Sequence, residues 1–358
     1  MGEFELPHIK LCSHRCYVPR RRTLLPLISL RWKELLHSGG PVWAETYFDV
    51  NQEFPGESVP NCGAVLAWFG RNVGSINVLS FYGDVQRLPA SLLSAALMSQ
   101  AGSLTMLSID MDTVIMSAAD IAMLAPLRRL EILDINLPVA PDSLCWDDSA
   151  ANLINTVSKL PALKFVGLSG RDGIHDESQA TVSLLAVLTS STLTSINFRM
   201  SSNSEGTLLL GTLPALLSCC LFGCSILRDI TLDVHSLHGA PHLTELDLSI
   251  ENVRLTECCF GRSCELVDLT LSCNLYTVPQ ALCGLKKTLK SLDLSYNRAL
   301  EMDQAGFDTL LSLQVLTNLT LMKSPHFDNV RELGAWSPIS KSFLSMLSAE
   351  LHFCKPRC

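Results

Sequence analysis

From residue 76 onward the apolar residues recur in a six-position frame whose first, fourth and sixth places are filled. Four copies are all leucine: Leu243/Leu246/Leu248, Leu266/Leu269/Leu271, Leu289/Leu292/Leu294 and Leu316/Leu319/Leu321. Allowing any aliphatic residue or Phe adds Ile76/Leu79/Phe81, Leu104/Leu107/Ile109, Leu130/Leu133/Ile135, Leu163/Val166/Leu168, Leu193/Ile196/Phe198 and Leu227/Ile230/Leu232. The copies start about 27 residues apart on average, with single intervals from 16 to 34. Alternation across the last four positions is that of a strand with one buried face. Between frames the spacing turns helical, predicting helices over Ser117 to Leu124, Ser149 to Leu160, Ser178 to Leu188, Thr207 to Leu217 and Asp303 to Leu313, the last with Asp303 as N-cap. Thr277-Val278-Pro279 is too short a connection for that and predicts a turn or short helix.

A frame of this kind at this period resembles the leucine-rich repeat. Two copies run on into the fuller signature, LVDLTLSCN ending at Asn274 and LKSLDLSYN ending at Asn297. The resemblance implies an α/β solenoid over residues 51–324, with a curved parallel sheet inside and helices outside, and a concave sheet face as the working surface. Asn274 and Asn297 then bond backbone groups where the chain leaves the strand, which is a structural role.

The first fifty residues lack the frame. There Leu6-Pro7 opens a segment with apolar Ile9 and Leu11, Pro19 at a turn, Leu24, Leu25, Leu27 and Ile28, then Leu30-Arg31-Trp32-Lys33-Glu34-Leu35-Leu36 and Trp43. This segment resembles an F-box. Ser13, Cys16, the Arg20-Arg21-Arg22 run and Pro26 depart from the family's pattern. The resemblance implies a substrate receptor of a cullin-type ubiquitin ligase, non-catalytic itself, with Leu6, Pro7, Ile9, Leu11, Leu25, Ile28 and Trp32 contacting a Skp-type linker protein that joins it to the cullin scaffold. It also implies a cytoplasmic or nuclear location. The same residues suit an amphipathic cap over the first repeat, in which case the chain is a regulatory scaffold or inhibitor without ligase function. Residues 325–358 lose the frame and read as a C-terminal cap or tail.

Residues between the inward positions of each frame point to the concave face, and many are acidic. Asp229, Glu245 and Asp268 fall in one lane, Asp134, Asp247 and Asp293 in the next, Asp110 and Asp233 in a third, with Arg199 the opposing charge. Parallel strands place Glu245 and Asp268 about 4.8 Å apart, close enough to repel. Two readings follow: an acidic surface that selects a basic protein partner, or a solvated face in which Asp belongs to the repeat pattern.

Composition narrows the rest. With 64 Leu against 20 Gly, collagen-like and disordered chains are excluded. A net charge of −8 argues against nucleic acid as partner. No apolar stretch is long and unbroken enough for a membrane span, and MGEFELPHIK does not read as a secretory signal. The 14 Cys show no framework of spacings and read as small core hydrophobes in a reducing compartment. His8, Cys12, His14 and Cys16 lack zinc-ligand spacing, and His235, His238 and His242 read as loop residues. No phosphate loop, nucleophile elbow or metalloprotease motif occurs, so neither an enzyme nor a cofactor is expected.

Overall fold

The computed structural model describes residues 45–49, 76–83, 96–111, 121–137, 146–170, 185–200, 206–223, 230–250, 253–257, 259–260, 265–272, 275, 278–297, 300 and 304–321. The chain divides into two compact units, Met1–Trp43 and Ala44–Cys358, and all the described residues belong to the second.

Eleven strands make one parallel sheet: β1 (Glu45–Asp49), β2 (Val78–Gly83), β3 (Met106–Met111), β4 (Ile132–Leu137), β5 (Phe165–Gly170), β6 (Ser195–Met200), β8 (Ser218–Gly223), β10 (Glu245–Ser249), β12 (Asp268–Leu271), β13 (Ser291–Asp293) and β14 (Asn318–Thr320). Each frame supplies one strand, and corresponding frame positions stand opposite one another, as in Leu79, Leu107 and Leu133. A single buried apolar cluster runs from Ile76 to Leu319 behind this sheet. The first, fourth and sixth frame positions point into it while most of those between stay half-buried or exposed, as in the exposed, buried, half-buried, buried sequence of β12; Ser80 and Gly167 are buried exceptions. This is the α/β fold with an apolar-backed parallel sheet that the frame predicts, with few helices among the described residues.

Three features differ from the expectation. The strand order begins with β1, so the sheet starts before residue 51, with Thr46 opposite Leu79 and Phe48 opposite Phe81. The main-sheet strand between β6 and β10 is built by Leu216, Cys219 and Leu221, because a buried thiol fills the fourth place. With that frame the long and short intervals around residue 227 become 23 and 27 residues. Ile230 and Leu232 belong instead to β9 (Ile230–Leu232), the middle strand of a second, three-stranded parallel sheet with β7 (Gly206–Thr207) and β11 (Val253–Leu255).

That small sheet accounts for the third difference. Thr207 to Leu217 does not form the expected helix: β7 is followed by turns, because Gly211 and Pro214 interrupt the helical spacing. Helices occur where apolar spacing is unbroken, at α1 (Trp146–Val157), which buries Leu153, Ile154 and Val157, and at α2 (Gln304–Ser312), with Leu310 inside. Helical turns stand at 96–100, 121–122 and 185–187, and the short connection after Val278 is a 3-10 helix, Gln280–Leu285. Among the described residues no helix is long and apolar enough to cross a membrane.

Repeats are tied by two backbone devices. At the second frame position a threonine hydroxyl donates to the carbonyl of the equivalent residue one repeat back: Thr105 to Asn77, Thr194 to Lys164, Thr244 to Leu217 and Thr317 to Lys290, at 3.0 to 3.1 Å. Asn297 is fully buried; its Nδ2 donates to the carbonyls of Leu271 and Leu294 at 2.6 and 2.7 Å, and its Oδ1 accepts from the Leu275 amide at 2.8 Å. The asparagine role expected from the sequence is therefore met at residue 297, while Asn274 lies outside the described residues.

Candidate functional site

The open face of the large sheet is set by the alternation of each strand. With leucines turned inward, the third and fifth frame positions form two lanes across the strands, and a shorter third lane follows at the seventh. Glu245 and Asp268 are neighbours in the first lane and both exposed, as the spacing required. Asp134, Asp247 and Asp293 lie in the second lane and Asp110 in the third.

The carboxylates differ in what they do. Asp247 and Asp293 are half-buried and bonded within their own repeats: Asp247 accepts from the Ser249 hydroxyl at 2.7 Å, and Asp293 from the Ser295 amide at 2.8 Å. Asp293 closes the turn after its strand and Asp247 ties the end of its own strand, which is the structural reading of Asp in the repeat. Asp134 stands over Gly167 of β5; a Cβ on that glycine would run into its carboxylate and come within 3.1 Å of the Phe165 ring. Loss of water around Asp134, and secondarily the charge of Asp110, push its carboxyl above the usual carboxylate range.

Two acids leave this surface. Asp233 follows β9 in the second sheet, and its carboxylate accepts from the His235 amide at 2.8 Å and from Ser236, folding the turn after that strand. It is not on the open face, because the frame that placed it there belongs to the wrong sheet. Asp229 lies outside the described residues, as does the Arg199 side chain. The linker-contact positions Leu6, Pro7, Ile9, Leu11, Leu25, Ile28 and Trp32 also lie outside them.

Cys220 is an open-face residue that charge reading passed over. Its thiol donates to Asp247 across a strand pair at 3.6 Å, and desolvation followed by the Asp247 charge and that bond push its pKa to about 12. Buried Cys219, behind it, is raised to about 12 as well, chiefly by desolvation. Both stay protonated at neutral pH and are poor nucleophiles. His235 and His238 face each other on an exposed turn, Nδ1 to Nδ1 at 3.4 Å, and His242 lies 3.4 Å from Glu265. Among the described residues no group of three or more His, Cys, Asp or Glu is placed to hold a metal ion.

The third frame position also carries something other than charge. On β2 to β5 it is Val78, Met106, Ile132 and Phe165, aligned by register and all half-buried. The signal was in the sequence, as an apolar residue just before the fourth frame position in four successive copies.

No protein-family model matches the chain, and no curated protein matches it. Solved structures similar to it include the Rad7 and Elc1 complex in yeast, at 15% identity and a TM-score of 0.37, covering 84% of this chain and 85% of that one. Another is the leucine-rich repeat-containing protein LegL7 from Legionella pneumophila, at 13% identity and a TM-score of 0.36, covering 76% and 81%. Likenesses this loose carry nothing about function.

Proposed function

We propose that this chain is a non-catalytic protein-interaction adaptor that holds a protein partner on the open face of its large sheet. One observation carries the reading: eleven parallel strands share a buried leucine face and leave the opposite side chains available in aligned lanes. A broad face of that kind suits a macromolecule better than a small molecule, which needs a concave pocket enclosing most of its surface. The protonated state of Cys220 fits a binding role for this face.

Charge gives the face a preference. Exposed Glu245 and Asp268 repel each other side by side unless a cation sits between them, so a basic partner is favoured. A partner recovered by proximity labelling of the intact protein is expected to bind several-fold more weakly to Glu245→Lys or Asp268→Lys, and to lose affinity as salt rises, in a titration by fluorescence anisotropy. Affinity indifferent to ionic strength would remove the electrostatic part of this reading.

The finer reading is that the adaptor is the substrate-recognition subunit of an SCF-type ubiquitin ligase in cytoplasm or nucleus. Its support is the F-box-like run from Leu6 to Trp43. A pull-down of the intact chain with a Skp-type linker is expected to succeed and to fall about tenfold with Trp32→Ala or Leu25→Ala, since a large aromatic in a protein interface commonly supplies that much. Failure of wild type to capture linker leaves the adaptor as a regulatory scaffold or inhibitor.

A further inference from the structure

The open face is not uniform along its first lane. From β2 to β5 that lane is Val78, Met106, Ile132 and Phe165; on β6 and β8 it is Ser195 and Ser218; on β10 and β12 it is Glu245 and Asp268. From Val78 the lane therefore runs from apolar through neutral to acidic; Glu45 of β1 holds the register position before Val78, and Ser291 and Asn318 those after Asp268. These four apolar side chains on adjoining strands are only half-buried, so part of each still meets water, whereas the inward residues beside them are wholly buried.

The surroundings of the row set the sign of what it accepts. Exposed Asp134 and Asp110 border it in the next two lanes of β4 and β3. The Asp134 carboxylate and the Phe165 ring converge over Gly167, where no side chain separates them. An acidic segment is repelled there by the two carboxylates. Next to Phe165, the Lys164 ammonium is bound to Glu131 at 2.7 Å.

We propose that this face seats one extended segment of a partner protein laid across the strands, apolar side chains on Val78, Met106, Ile132 and Phe165, and Lys or Arg side chains on Glu245 and Asp268. The inference rests on the adaptor reading above and adds a spacing to it. Phe165 and Glu245 are three strand spacings apart, about 14 Å, which an extended chain crosses in about four residues. The segment thus carries an apolar cluster and, about four residues from it, a basic one.

The probe is a library of random twelve-residue peptides displayed on phage and selected on the immobilised intact protein. Recovered peptides are synthesised and titrated against wild type, Met106→Glu, Ile132→Glu and the double variant Glu245→Lys with Asp268→Lys, each compared with wild type in thermal unfolding. Expected peptides carry an apolar cluster with Lys or Arg about four residues away. Either glutamate variant weakens them about tenfold or more at every salt concentration, and the double variant weakens them and abolishes the salt dependence. If a glutamate variant does not fold, Met106→Gln and Ile132→Thr carry the comparison.

Loss of binding with the double variant alone overturns the apolar seat and leaves the adaptor reading standing. Indifference to all the variants, or no recovered peptide, overturns both. A dimer of the intact chain that dissociates on Ile132→Glu would assign the row to a second copy and overturn the proposal as well.

Discussion

Asn297→Ala is expected to lower the unfolding free energy of the repeat unit by about 3 kcal/mol, read from chemical denaturation of the intact chain. The side chain is wholly buried and supplies partners to three backbone groups at once, the Leu271 and Leu294 carbonyls and the Leu275 amide. Two of those groups belong to the preceding repeat, so the substitution weakens the joint between neighbours as well as its own turn. Alanine satisfies none of them, and each unpaired buried group costs about 1 to 3 kcal/mol, part of which a trapped water would return. Asn297→Asp is expected to be no better, because a carboxylate cannot donate to two carbonyls. Exposed Asn318 is the control, with Asn318→Ala within about 0.5 kcal/mol of wild type. A loss below about 1 kcal/mol at Asn297 would mean that solvent replaces these bonds.

Gly239→Ala is expected to cost about 3 kcal/mol or more, for a different reason. On the return legs of the repeats the chain passes so close to its neighbour that a Cβ at 239 would run into the carbonyl oxygens of Gly211 and Leu210. These obstacles are backbone, which cannot step aside by changing rotamer. They are also held in place, since the Gly239 carbonyl accepts from the Leu213 amide at 2.7 Å and the Gly211 amide donates to Leu185 at 2.9 Å. Gly211 meets the Leu188 carbonyl in the same manner, so close stacking recurs from one repeat to the next. Gly102→Ala has open space around its new methyl and is expected to be neutral or stabilising by under about 1 kcal/mol. Equal thermal stability of Gly239→Ala and wild type would show that the return legs do not touch backbone to backbone.

The main sheet was legible because its signal is redundant. A strand that must bury three residues in six and expose those between repeats its pattern in every copy, and single exceptions do not hide it. The exceptions are instructive in kind. At 216 to 221 the fourth place is Cys219, and a frame restricted to aliphatics and Phe passes over it to Ile230 and Leu232, which are equally buried but in the second sheet. The uneven intervals on either side were the available sign. Thr46 similarly stands in an inward register position in β1. The apolar run through Leu208, Leu209 and Leu210 has helical spacing on paper, but Gly211 and Pro214 give turns there instead.

The site was legible in its charges and less so in their duties. Glu245 and Asp268 are where the alternation puts them, whereas Asp247 is bonded by the Ser249 hydroxyl and the Cys220 thiol and Asp293 by the Ser295 amide, partners that the spacing of acids does not reveal. Asp233 follows its strand into the other sheet. The apolar row on β2 to β5 was plain in the letters, but hydrophobic residues in a repeat are read first as core, and only register separates Met106 from Leu107.

The threonine bonds at the second frame position carry a lesson about modularity. Each hydroxyl reaches a main-chain oxygen, and every residue has one; the four acceptors sit on an asparagine, a leucine and two lysines. A unit so fastened brings its own clasp and makes no demand on the side chain of the unit before it. Duplication, loss or lengthening of a copy can therefore leave the joint intact, which is how units as unequal as those starting at Leu163 and Leu193 stay joined through Thr194.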